Sequence, residues 1–229
     1  MDKEYLITSK PLPALLSFSL PMMLGNLFQQ FYTMADSIIV GRFIGENALA
    51  AVGASFALTA VFIAIAIGGG MGASVITSGA FGARNYRAMK LSISTSLIIF
   101  LIVSILLAAF GLLLSDEILI ALNTPSIVLD DAVTYLNIYF LGLPFLFMYN
   151  VLSSVFNSMG KSRIPLYLLI FSSILNVVLD IVMVASFGMG VAGAAWATLI
   201  AQGISAVISF MILLRTLRDF NETPDRLFS

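Results

Sequence analysis

The chain has 229 residues, 60% of them hydrophobic and only 10% charged, and that balance excludes a soluble globule. Eleven Lys and Arg against twelve Asp and Glu leave no basic surface for nucleic acid, and the lack of Cys and His removes disulfides, thiol nucleophiles, imidazole bases and Cys/His metal sites. At roughly 20 residues per membrane span the length accommodates about six helices, which is small for a transporter.

In chain order, the uncharged stretches predict helices at about residues 13–41, 47–72, 90–114, 131–156, 163–186 and 190–215, the second with room to run on to Phe81. The runs are continuous rather than alternating, as in Leu97-Ile98-Ile99-Phe100-Leu101-Ile102-Val103, which argues against a β-barrel. The fold class expected is therefore an all-α membrane protein. Residues 1–12 read as a cytoplasmic N-terminus, 13–216 as one six-helix unit, and 217–229 as a polar tail or linker. No cleavable signal peptide is evident.

Orientation follows from the cations. Arg84, Arg87 and Lys90 fall between helices 2 and 3, Lys161 and Arg163 between 4 and 5, and Arg215 and Arg218 after 6. The opposite connections carry Arg42 with Glu46, then Asp116, Glu117, Asp130 and Asp131, then no charge around Gly188 and Gly190. One basic residue against ten, counting Lys3, Lys10 and Arg226 with the inner side, predicts that both termini lie on the inner, cytoplasmic side of a membrane that the chain crosses six times.

Two acids fall inside predicted spans, Asp36 and Asp180, at an insertion cost of roughly 2.5–3.5 kcal/mol for a central Asp. Each lies about six residues before the outer end of its helix, or on the order of 9 Å below that boundary. Thr198, Tyr135 and Tyr139 fall in the same layer, and Asn176 sits one turn deeper than Asp180 on the same face. Carboxylates, an amide, a hydroxyl and phenols at one depth suit a small hard cation or a proton. Interhelical hydrogen bonding, worth about 0.6 kcal/mol on average, is the rival role for Asn176 and Thr198. For Tyr135 and Tyr139, anchoring in the aromatic belt is an equal alternative. Gln29 and Gln30, mid-helix 1, and Gln202 divide evenly between packing and ligand contact.

Pro21 and Pro144 lie within spans and predict bends, with Pro21 read either as a hinge serving Asp36 or as a static kink. Pro165 reads as a first-turn proline. Gly68-Gly69-Gly70-Met71-Gly72 lacks the ending of a phosphate loop and is read as close helix packing or local unwinding. The same reading is given to Gly188, Gly190 and Gly193.

Taken together, Pro21, Gln29-Gln30, Asp36, the run Val40-Gly41-Arg42-Phe43-Ile44-Gly45 and Ala48-Leu49-Ala50-Ala51-Val52-Gly53 resemble helices 1 and 2 of multidrug and toxic compound extrusion (MATE) transporters, of the MOP superfamily. Gly79-Ala80-Phe81-Gly82-Ala83, Met159-Gly160-Lys161-Ser162-Arg163-Ile164-Pro165 and Asn176-Val177-Val178-Leu179-Asp180 extend the resemblance over residues 10–216. It implies one six-helix lobe of a two-lobed antiporter that exports organic cations or amphipathic compounds against Na⁺ or H⁺, without a cofactor. It also implies a cation site of Asp36, Asn176, Asp180 and Thr198. A cavity-lining tyrosine of helix 4 matches Tyr139 or Tyr135, and a helix 4 asparagine matches Asn150 or Ser153. The expected partners are membrane lipid, the exported compound, and a second lobe or second copy of the chain. A lipid-linked precursor flippase and a non-transporting truncated subunit are the rival functions. No enzyme is expected, since no nucleophile–base pair is apparent.

Overall fold

The computed structural model describes residues 10–218 and 220. Most of the predicted N-terminal segment 1–12 and of the tail 217–229 lies outside the described residues. Those described form six helices and no strand: α1 Pro11–Phe43, α2 Glu46–Gly82, α3 Tyr86–Ala121, α4 Ser126–Ser158, α5 Arg163–Asp180 and α6 Gly190–Arg218. A π-helical segment, Ile181–Ser186, continues α5. By length and composition, α2 to α6 are each able to cross a membrane. The first helix is of similar length, 33 residues, but carries Asn26, Gln29, Gln30 and Asp36 along its outer half.

Several helices outrun their apolar cores. The second continues through the glycine run to Gly82, close to the Phe81 limit that the sequence allowed, and the third spans Tyr86–Ala121 rather than 90–114. Asp116 and Glu117 therefore lie in the last turns of α3, and Asp130 and Asp131 in the first turns of α4, not in a loop as the charge pattern implied. The physical reason is that 36 residues at 1.5 Å each exceed a hydrocarbon core of about 30 Å, so charged turns project into water while their backbone bonds remain paired. Helices α1 and α4 continue unbroken through Pro21 and Pro144.

The fourth helix is the axis of the lobe, packed by α2, α3 and α6, while α5 joins α6 and α1 rests chiefly on α5. Two apolar clusters fix this frame. One centres on Phe62, Phe140, Leu136 and Phe147, with the Phe62 and Phe140 rings edge to face at 5.3 Å. The other, nearer the basic end, gathers Met89, Ile93, Val155, Phe156 and Leu213. Gly111 and Gly69 have no room for a Cβ against Phe140 and Phe100 respectively, so the glycines allow close helix approach rather than unwinding. Gly188 and Gly190 have a different reason: their φ values of 64° and 59° are left-handed and their surroundings open, so they serve the turn into α6 rather than packing. Gly193 alone of that group is packed, against Met183.

Hydrophobic side chains elsewhere face outward along the helices, for example Phe31 at 65%, Leu106 at 64% and Leu113 at 78% exposure. Such a surface is incompatible with water but ordinary in lipid, where apolar burial gives no advantage.

Candidate cation-binding site

Asp36 lies about two turns before the end of α1, and Asp180 closes α5 just before the π-helical segment. Helix α1 packs chiefly on α5, which brings the two carboxyls close enough to interact. Two ionised carboxylates are acceptors only and cannot bond to one another. Consequently Oδ1 of Asp36 and both oxygens of Asp180 have no protein donor, although Asp180 is wholly buried. A proton or a cation between the carboxyls satisfies these oxygens together.

The remaining predicted oxygens converge on this pair. Asn176, one turn from Asp180, donates from Nδ2 to the Thr198 hydroxyl of α6 at 3.2 Å, and its own carbonyl Oδ1 is left unpartnered. The amide thus spends its donor on α6 and keeps its acceptor for another group. The phenol of Tyr32 lies 3.4 Å from the same Thr198 hydroxyl. Tyr32 precedes Asp36 by four residues, so α1 offers a phenol and a carboxyl on one face as α5 offers an amide and a carboxyl. Sequence reasoning overlooked Tyr32, although that i, i+4 spacing was readable.

Tyr135 of α4 packs against the apolar cluster of Ile39, Val40 and Val184, which follow Asp36 and Asp180 on α1 and α5, whereas Tyr139 donates its hydroxyl to the Thr59 carbonyl of α2 at 3.3 Å. Both tyrosines line a small cavity with Thr198 and Gln202. Gln29 and Gln202 line a second cavity of about 40 Å³ with Tyr32, Asn176 and Thr198. Gln30 lines neither cavity. Asn150 is also apart: its Nδ2 donates to the Leu146 carbonyl of its own helix at 2.8 Å. Ser153 keeps a buried hydroxyl with no partner beyond a weak approach of the Tyr149 phenol, but closer to the basic end. Pro21 is buried about four turns from Asp36.

Two further features frame the site. Ile39, Val40, Val184, Val191 and Ala194 form an apolar cluster between the acidic pair and the outer helix ends. Immediately after Asp180 the backbone widens into the π-helix Ile181–Ser186, a local departure common at functional positions and absent from any hydrophobic pattern. Among the described residues no three of His, Cys, Asp and Glu converge on one point, so a cation here must draw on amide, hydroxyl and phenol oxygens besides the two carboxylates. That donor set fits a hard alkali ion or a proton, not a transition metal.

The fold and this cluster define a multi-pass helical membrane protein of transporter type. Residues 21–182 match the MatE family, and the chain belongs to the MATE family. It is 33% identical over 204 residues to a probable multidrug resistance protein, YpnP, of Bacillus subtilis strain 168, covering 89% of this chain and 46% of that one. It is 26% identical over 211 residues to the multidrug export protein MepA of Staphylococcus saprophyticus, covering 92% and 47%. A crystal structure of a MATE protein in the straight conformation superimposes with a TM-score of 0.91 at 28% identity, over all of this chain and 51% of the other. The chain spans about half the length of the curated relatives it matches.

Proposed function

We propose that this chain is one lobe of a cation-coupled antiporter of the cytoplasmic membrane, in which Asp36, Asn176, Asp180 and Thr198 hold Na⁺ or H⁺ as cargo exchanged for an organic cation or amphipathic compound. Three carboxylate oxygens without a protein donor, enclosed by apolar helices, carry this reading. A permanently structural pair has no use for unpaired acceptors that cost 1 kcal/mol or more each, roughly, whereas a site that alternately binds and releases a cation requires them. Tyr32 and Tyr135 join the same site, the first by orienting Thr198.

Members of the family are transporters, and the names of the relatives, multidrug resistance and multidrug export proteins, support organic compounds as the exported class. Alternating access in such proteins uses two halves rocking about a shared cavity, so residues 13–216 act as one half. The second six-helix lobe, or a second copy of this chain, supplies the other wall, with residues 217–229 as the connecting linker. Helix α1 rests mainly on α5, so occupation of the pair can shift α1 about Pro21 without dismantling the α2–α3–α4 frame. The ten basic residues that the sequence assigns to one side support a cytoplasmic position for both termini. Neither cavity is lined by Lys or Arg, which weighs against a pyrophosphate-bearing lipid substrate.

The test is dye efflux driven by a Na⁺ or pH gradient in the complete assembly, with Asp36→Asn and Asp180→Asn introduced separately. Loss of gradient-driven efflux in both variants is expected; undiminished coupled efflux in both overturns the proposal.

A further inference from the structure

Below the acidic pair, three helices carry polar residues at helical spacing where lipid-soluble helices need none. These are Asn176 and Ser173 on α5, Ser205 and Ser209 on α6, and Ser153 and Asn157 on α4. The structure packs α6 against both α4 and α5. Ser205 and Ser209 are 0% exposed, the hydroxyls of Ser173, Ser205 and Ser209 and the side-chain carbonyl of Asn157 bond to no protein group, and the Ser153 hydroxyl has no partner beyond a weak approach of the Tyr149 phenol. Elsewhere in the lobe buried hydroxyls behave differently. Ser55 and Ser104, also 0% exposed, donate to the Ala51 and Leu101 carbonyls of their own helices at 3.1 and 2.8 Å. A serine that leaves the carbonyl behind it unused directs its hydroxyl into the helix seam.

Counted along their own helices from the basic end, Asn176 and Ser205 lie at about 20 Å, Ser173 and Ser209 at about 14 Å, Ser153 at about 8 Å and Asn157 within about 2 Å, so polar groups recur from the acidic pair to that end. The upper part opens into the cavity of about 40 Å³ that Ser173 and Ser205 line. At about 10–15 Å³ of such volume per water, that cavity has room for about three.

We propose that the α4–α5–α6 seam holds a column of water running from Asn176 and Asp180 to the basic end of the lobe, and that protons pass along it to and from the acidic pair. A proton entering at Asn157 needs only successive transfers between bridging waters held by the serine hydroxyls, and none of the serines ionises. The column is lined by residues of this one lobe. Its conducting role rests on the reading of the acidic pair given above; its hydration does not.

The chain has no cysteine, so a single introduced thiol is unique. In the full chain in lipid nanodiscs, Ser205→Cys, Ser209→Cys and Ser153→Cys are exposed to Ag⁺, an ion of about water's size, and the thiols left free are then alkylated after denaturation. Reaction about tenfold or more faster than in Ser55→Cys and Ser104→Cys is expected, because only a hydrated thiol ionises readily. Thiols at 209 and 153 as slow as those at 55 and 104 overturn the column, even if 205 reacts. The conducting role is read from pH-driven efflux in the complete assembly with Ser209→Val, or Ser209→Ala should the valine variant not fold. A severalfold slower coupled rate is expected, and an unchanged rate overturns it. If Asp36→Asn and Asp180→Asn leave coupled efflux intact, the antiport reading fails while the Ag⁺ result still decides the hydration.

Discussion

The α2–α3–α4 side of the lobe and the α1–α5–α6 side treat the same chemistry in opposite ways. Around α4, most buried polar groups are settled: Ser55, Thr59 and Ser104 donate to carbonyls of their own helices, Phe62, Phe140 and Gly111 interlock, and Ser153 and Asn157 are the exceptions. Around α5, acceptors are left over at Asp36, Asn176 and Asp180, and hydroxyls at Ser173, Ser205 and Ser209. Buried polar groups are normally paired, so a concentration of unpaired ones on one side is the feature on which the proposed exchange of ions and water rests. The other side is the more closely packed wall of the lobe.

Substitutions on each side test this division. The largest effect expected is on the rigid side: Phe140→Ala removes the ring that fills the space before Gly111 and costs about 3–5 kcal/mol, read as a large fall in the detergent melting temperature. The next is Asp180→Asn, which lowers gradient-driven efflux by at least about tenfold, equivalent to about 1.4 kcal/mol, with the melting temperature held or raised because an unpaired buried acceptor is lost. A melting temperature that falls as far as in Phe140→Ala would make Asp180 a structural residue. Thr198→Val removes the hydroxyl shared by Asn176 and Tyr32 and is expected to weaken Na⁺ or H⁺ binding by about 0.5–1.5 kcal/mol, with Thr198→Ser restoring it. Isothermal titration or the ion dependence of efflux reads this change. The smallest effect is expected for Asn150→Ala, whose amide is spent on Leu146: a change within about 0.5 kcal/mol in stability and no loss of coupling. A tenfold loss there would bring Asn150 back into the site.

Sequence legibility varied with the physical origin of each feature. Asp36 and Asp180 stood out because a carboxylate in lipid is expensive, and their common depth followed from helix rise and topology alone. Tyr32 was less visible, since a tyrosine in a membrane helix has an ordinary role in packing; only its contact with Thr198 distinguishes it. The choice between Tyr135 and Tyr139 could not be read from depth, because both fall in one layer and only the rotation of α4 sends Tyr139 toward Thr59. The ends of α3 were underestimated, as apolarity reports the lipid-embedded length and not the length of the hydrogen-bonded helix. Ser205 and Ser209 carry no signal of their own, since serine is common in membrane helices and is usually satisfied locally.

By itself, then, the amino-acid sequence determined the membrane class, the number of helices and the depth of the costly polar groups, because these follow from one-dimensional quantities: apolar run length, charge position and rise per residue. Tertiary structure decided which side chains at that depth meet and which remain unpartnered, because both depend on helix rotation and on neighbours more than 100 residues apart, as in the contact of Tyr32 with Thr198. The π-helical turn after Asp180 belongs to the same category: it is a property of how α5 is held, not of the residues that form it.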